Sequence, residues 1–198
     1  MLFKTILVKI VIIGDGGVGK TSIIKRYIEG GSEYEYIMTL GVDTYIKESK
    51  LYYDGRFIDI KWHIWDFGGQ FHWVNIRKPL YRGAAGGIIV FDVANQNSYE
   101  RVTNWVKEMI SISGKRPLVL VGNKIDLRGV VPNCLKREDG LRKAKELSEL
   151  IGMEVPYIEV SALKGINIDR IFSALGNAIM RYAIERLQKK RAIQMRTP

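Results

Sequence analysis

The chain has 198 residues, 46% hydrophobic and 26% charged, with a formal net charge of +10. That size fits one domain, and the balance excludes a disordered chain. A lone cysteine, Cys134, excludes an internal disulfide framework and points to a reducing compartment, while no apolar run approaches the ~20 residues of a membrane span and the N-terminus lacks a signal-peptide core. A soluble, cytoplasmic monomer is expected.

Phe3 to Ile13 is rich in Ile and Val and stops at Gly14, which predicts a buried strand entering a loop. Thr21 to Ile28 predicts a helix. Ser32 to Thr44 is polar and aromatic without a period and reads as an irregular, mobile loop. Two strand-like runs, Tyr45–Tyr53 and Phe57–Asp66, meet at Asp54-Gly55, a type I′ hairpin signal. Gly69 to Gly83 is a second irregular stretch. Strands are expected at 86–93, 118–121 and 155–160, and helices at 98–112, 138–151 and 168 to about 194, with Val102, Trp105, Val106 and Met109 on one apolar face. Strand and helix alternate throughout, so an α/β fold follows: a mostly parallel six-stranded sheet with one antiparallel hairpin strand and helices on both faces.

Gly14-Asp15-Gly16-Gly17-Val18-Gly19-Lys20-Thr21 satisfies G-x-x-x-x-G-K-[ST] between a predicted strand and a predicted helix, the context that motif requires. Glycines let the backbone wrap a phosphate so that several N–H groups point inward, and the helix N-terminus adds favourable dipole. Lys20 is expected to reach the β- and γ-phosphates and the Thr21 hydroxyl to ligate Mg²⁺. Ser22, next on the helix, joins the candidate nucleotide-binding set.

Asn123-Lys124-Ile125-Asp126 follows a predicted strand, beyond the carboxyl end where α/β sheets bind ligands. A carboxylate at Asp126 can accept the ring N–H and the exocyclic amine of guanine, while adenine would leave it unpaired. Asn123 is expected to bond the base and tie this loop to the phosphate loop, and the stem of Lys124 to cover a base face. The Ala162 N–H, in Ser161-Ala162-Leu163, is expected at the guanine oxygen. Alone, N-K-x-D is a weak match; its position after a phosphate loop gives it weight.

Trp65-Asp66-Phe67-Gly68-Gly69-Gln70 ends a hairpin strand. Asp66 is placed to hold Mg²⁺ through water, the Gly69 N–H to meet a γ-phosphate, and Gln70 to orient the attacking water. Thr39 is the expected second hydroxyl ligand of Mg²⁺. Lys20, Thr39, Gly69 and Gln70 are thus the catalytic candidates, and Thr21, Thr39 and Asp66 the metal candidates.

With these words on the page, the chain resembles a Ras-superfamily small GTPase, a P-loop G domain, over residues 4 to about 187. Leu40-Gly41-Val42-Asp43, Trp65-Asp66, Tyr81-Arg82-Gly83-Ala84 and Asn104-Trp105 are similar to words of the Rab branch, while Phe67-Gly68-Gly69-Gln70 is similar to the Arf version of the second switch. The resemblance implies GTP/GDP and Mg²⁺ as ligands, slow hydrolysis, two switch loops at about 32–44 and 68–82, and effector, activating and exchange-factor partners. The chain departs from the family at Ser32, where an aromatic commonly covers guanine; at Thr44, where Rab proteins carry an aromatic; and at Phe71, where an acid commonly follows the glutamine. Residues 128–140 also form a longer connection than usual in Rab proteins.

Residues 1–180 make the expected G domain and 181–198 a basic extension. Arg181, Arg186, Lys189, Lys190, Arg191 and Arg196 face one acid, Glu185, so half the positive surplus lies there. No cysteine follows Cys134 and position 2 is Leu, so neither lipidation signal is present. Two readings stand: a basic face in weak peripheral contact with anionic membrane, or a solvated helix end; a lipidated tail lost by truncation would also fit. A nucleic-acid partner is not expected, because no recognition motif accompanies the charge. For the whole chain, a GTP-hydrolysing switch and a non-hydrolysing GTP-binding scaffold both remain open.

Overall fold

The Ile- and Val-rich N-terminal run becomes β1, Ile6–Ile13, the middle strand of one sheet that organises everything else. The structure is a computed structural model and describes residues 5–29, 34–39, 42–67 and 78–194, the side chains of 34–39, 42 and 78 excepted. Along it follow α1 (Lys20–Glu29), β2 (Tyr34–Thr39), β3 (Val42–Tyr53), β4 (Arg56–Phe67), β5 (Gly86–Asp92), α2 (Gln96–Glu100), α3 (Val102–Ser113), β6 (Leu118–Asn123), α4 (Arg137–Ile151), β7 (Tyr157–Glu159) and α5 (Ile168–Gln194). Short 3-10 turns occupy Lys78–Tyr81 and Ile125–Leu127.

The sheet order is β2-β3-β4-β1-β5-β6-β7. Five strands, β4, β1, β5, β6 and β7, run parallel, and β3 joins β4 antiparallel. These are the six expected strands. Asp54 and Gly55 both take positive φ, 49° and 78°, as a type I′ turn demands. β2 adds a seventh strand at the edge, antiparallel to β3 from Tyr34↔Lys47 to Thr39↔Val42. It comes from the stretch read as an irregular loop. The long partner strand supplies its hydrogen bonds, so no local alternation is needed.

Side chains alternate across the sheet and fill two cores. Val8, Ile10 and Ile12 face α1 and α5, with Ile88 and Val90 beside them. Val11, Ile13, Ile89 and Phe91 face α3 and α4. β5 and β6 are buried at every position because both faces are covered. The helix expected from Ser98 is broken at Arg101. Asn95 Oδ1 accepts from the Ser98 N–H at 3.1 Å to cap α2, and Arg101 turns the chain into α3. Val102, Trp105, Val106 and Met109 are all buried, as the apolar face predicts.

α5 is continuous across residue 181. Arg181 pairs with Glu154 at 3.3 Å and the Tyr182 hydroxyl donates to the Lys115 carbonyl at 3.3 Å, so the helix stays docked to that point; residues 185–194 are exposed. No described helix is long and apolar enough to cross a membrane.

Candidate functional site

The parallel register puts three loops at one end of the sheet. Ile12 of β1 lies opposite Asp66 of β4, and Asp92 of β5 opposite Asn123 of β6, so the phosphate loop, the end of β4 and the Asn123–Asp126 loop converge at the carboxyl ends. Gly14 and Gly19 have φ of +139° and +95°, conformations that side chains rarely adopt. A Cβ on Gly14 would run into the Val90 carbonyl, and one on Gly19 into the Asn123 side chain. The loop therefore needs glycine at both places.

Lys20 is buried, and its Nζ donates to the carbonyls of Gly14 and Asp15 at 2.9 and 2.8 Å, which fixes the ammonium under the loop. The Thr21 hydroxyl donates to Asp66 Oδ2. Asp66 Oδ1 is buried without a hydrogen-bond partner among the described residues. Burial pushes the Asp66 carboxyl up from its ordinary value, against the downward pull of the Thr21 hydrogen bond and the Lys20 charge. A buried, half-used carboxylate touching a hydroxyl is a donor set that fits a hard divalent cation.

Asn123 bonds to two neighbouring loops. Its Nδ2 donates to the Val18 carbonyl at 2.8 Å, binding this loop to the phosphate loop as expected, and its Oδ1 accepts from the Ala162 N–H at 3.1 Å. A guanine oxygen would share that Ala162 donor. The Ser161 hydroxyl donates to Asp126 Oδ1 and accepts from the Lys164 N–H at 3.1 Å, which aims the carboxylate. Lys124 takes φ +66°, and its Nζ pairs with Asp92 Oδ2 at 2.7 Å, stretching the stem across the loop. Between these groups lies a cavity of about 530 Å³, lined by Gly19, Ser22, Asn123, Lys124, Asp126 and Leu163 among others, a volume suited to a small ligand. Leu163 is 73% exposed at its rim.

Of the remaining expected residues, Thr39 ends β2, with its side chain outside the described residues. Gly69 and Gln70 lie outside the described residues, as do Ser32 and Phe71. Residues that the sequence reading passed over also join the site. Arg26, two turns along α1, donates to the carbonyls of Ala162 and Leu163 at 3.0 and 2.7 Å and so holds the loop that follows β7. Asp92 anchors Lys124. Trp105 and Arg101 reach Asp15. Arg26 carried no signal, since its partners are 136 and 137 residues away. Asp92, at a strand end facing the same way as Asn123, was findable.

The Ras family profile matches residues 9–181. The chain is 35% identical over 177 residues to the Ras-related protein Rab-13 of Rattus norvegicus, covering 88% of this chain and 80% of that protein. It is 35% identical over 200 residues to the GTP-binding protein yptV5 of Volvox carteri, with coverage of 98% and 93%. A Ras and EF-hand domain-containing protein homolog of Caenorhabditis briggsae is 37% identical over 174 residues, 87% of this chain and 26% of that protein. The chain belongs to the Ras family: it is a Rab-like small GTPase, an enzyme that converts GTP to GDP and phosphate. Members of this family bind GTP or GDP with Mg²⁺ and work with effectors, activating proteins and exchange factors.

Proposed function

We propose that this protein is a GTP-loaded on-state and GDP-loaded off-state switch that recruits effectors through its two switch segments, in membrane traffic or signalling. The observation that carries the reading is the Thr21–Asp66 hydrogen bond, which joins two motifs 45 residues apart, beside a buried Asp66 Oδ1 that has no hydrogen-bond partner among the described residues. Lys20 and the N–H groups of residues 14–19 bind the phosphates. Asp126 and Ala162 read guanine, Asn123 locks the two loops, and Lys124 and Leu163 cover the base. Thr21 and Asp66, with Thr39 in the GTP state, would hold Mg²⁺, which when bound neutralises charge on the β- and γ-phosphates. Gly69 engages the γ-phosphate and Gln70 orients the attacking water. Among the described residues no helical insertion follows α1 to supply an arginine in cis, so turnover is slow until a partner supplies one.

The exposed end of α5 is a second, weaker contact. Leu187 and Ile193 are 58% and 66% exposed among the cations, which supports a peripheral touch on anionic membrane. The test of the switch is differential retention. Protein loaded with a non-hydrolysable GTP analogue should capture proteins that the GDP-loaded form does not. Identical retained sets would defeat the effector reading.

A further inference from the structure

Asp15 places a carboxylate second in a loop whose N–H groups serve a polyanion. Left unpaired there, that charge would oppose phosphate binding. The structure shows how it is managed. The Trp105 indole N–H donates to Asp15 Oδ1 at 2.8 Å, and Arg101 Nε lies 2.6 Å from Asp15 Oδ2. Asp15 and Trp105 are 6% and 3% exposed, so one carboxylate oxygen is hydrogen-bonded and the other ion-paired, both away from bulk water. The two partners sit one helical turn apart, Arg101 at the break between α2 and α3 and Trp105 on the first turn of α3. The break at Arg101 therefore has a use: it turns the chain so that the guanidinium and the indole meet one side chain.

We propose that Arg101 and Trp105 are positioning residues of the phosphate loop: they draw the Asp15 carboxylate toward α3 and cancel its charge, so that the loop presents only N–H groups to the nucleotide. The same helix reaches the end of the second switch, where the Tyr81 hydroxyl donates to Glu108 Oε1 at 3.0 Å, so one rigid element contacts both the phosphate loop and that segment. The inference rests on the guanine-nucleotide reading and adds an electrostatic requirement to it.

The test is a double-mutant cycle on nucleotide release, read with fluorescent GDP on the full chain. Arg101→Met should accelerate GDP release about tenfold at low salt and less at high salt. In an Asp15→Asn background the same substitution should change release less than threefold. Equilibrium affinities supply a readout that simple loosening would not move: Arg101→Met should weaken GTP more than GDP, and GDP more than GMP, because repulsion grows with phosphate charge. Arg101 is 42% exposed at its side chain, so its replacement leaves the core intact. Trp105→Phe keeps the buried ring and removes only the N–H; it should speed release several-fold, again only while Asp15 is present. Unchanged release in Arg101→Met, an equal acceleration in the Asp15→Asn background, or an equal loss for GTP, GDP and GMP would each overturn the proposal. A wild-type protein that retains no GDP would overturn the nucleotide reading itself, and this inference with it.

Discussion

In the proposed reading Asp126 is the carboxylate that chooses the base, and its surroundings suit that role. It is half-buried, its Oδ1 is held by the Ser161 hydroxyl, and the Lys164 N–H in turn orients that hydroxyl. A base lacking the complementary donors would leave the carboxylate unpaired, and a site built on hydrogen bonds rejects such analogues by roughly 10⁴–10⁵. Asp126→Asn should therefore lose GDP and gain xanthosine diphosphate, whose ring offers a carbonyl where guanine offers an amine. Competition for a bound fluorescent nucleotide checks this; displacement of GDP from the wild type by equimolar ATP would remove Asp126 from its role. Much of the site was legible at this scale because each motif keeps its chemistry in a short window. Residues 14–21, 66, 123–126 and 161–163 could be assigned without a fold. Arg26, Arg101 and Trp105 could not, because each acts through a contact made only by tertiary packing, 90 residues away in the case of Trp105 and Asp15.

At the scale of elements, α4 packs on β7 through one close approach. A Cβ on Gly140 would enter the Tyr157 ring, whose hydroxyl donates to Glu159 Oε1 at 3.0 Å. Gly140→Ala improves helix propensity by about 1 kcal/mol, but overpacking a fixed ring costs about 1–3 kcal/mol. The steric cost wins, and the melting temperature should fall by about 2–4 °C per net kcal/mol at this chain length; an unchanged or raised value would mean that the ring yields freely. Glu159 anchors the connection after Asp126 by accepting from Arg128 at 2.6 Å, with Arg137 at 3.8 Å. Burial alone would raise its carboxyl, but the Arg128 hydrogen bond and charge overcome that and hold it below its ordinary 4.5. A depressed carboxyl stabilises the fold above the unfolded value and loses that contribution as pH falls through the folded one. Glu159→Gln should thus be less stable than wild type at pH 7, by about 1–3 kcal/mol, with the gap closing below about pH 4.5. A gap that does not shrink at all as pH falls below about 4.5 would assign the loss to packing instead. The long, periodic elements were readable from sequence. β2 and the break at Arg101 were not, since the first depends on a partner strand and the second on an Asn95 cap just outside the apolar pattern.

For the whole molecule, the seven-stranded sheet sets three loops at one end, while half of the net positive charge gathers on the last residues. Cations near an anionic surface contribute about 1 kcal/mol each, enough for salt-sensitive contact and too little for permanent anchoring. The chain should co-sediment partly with phosphatidylserine vesicles at low salt and not with neutral ones, and a chain ending at Arg181 should lose the interaction. Absence of binding at low salt would leave the helix end merely solvated. The central claim concerns the other end of the sheet, where we propose that one loop holds phosphates, another reads guanine and the Thr21–Asp66 pair binds a cation. Single-turnover hydrolysis of pre-bound GTP tests it most directly. The account predicts Mg²⁺-dependent phosphate release with a rate on the order of 10⁻⁴ s⁻¹, slowed at least tenfold by Gln70→Leu while nucleotide remains bound. Tightly held GTP that stays uncleaved over many such half-lives, in wild type and variant alike, would contradict it.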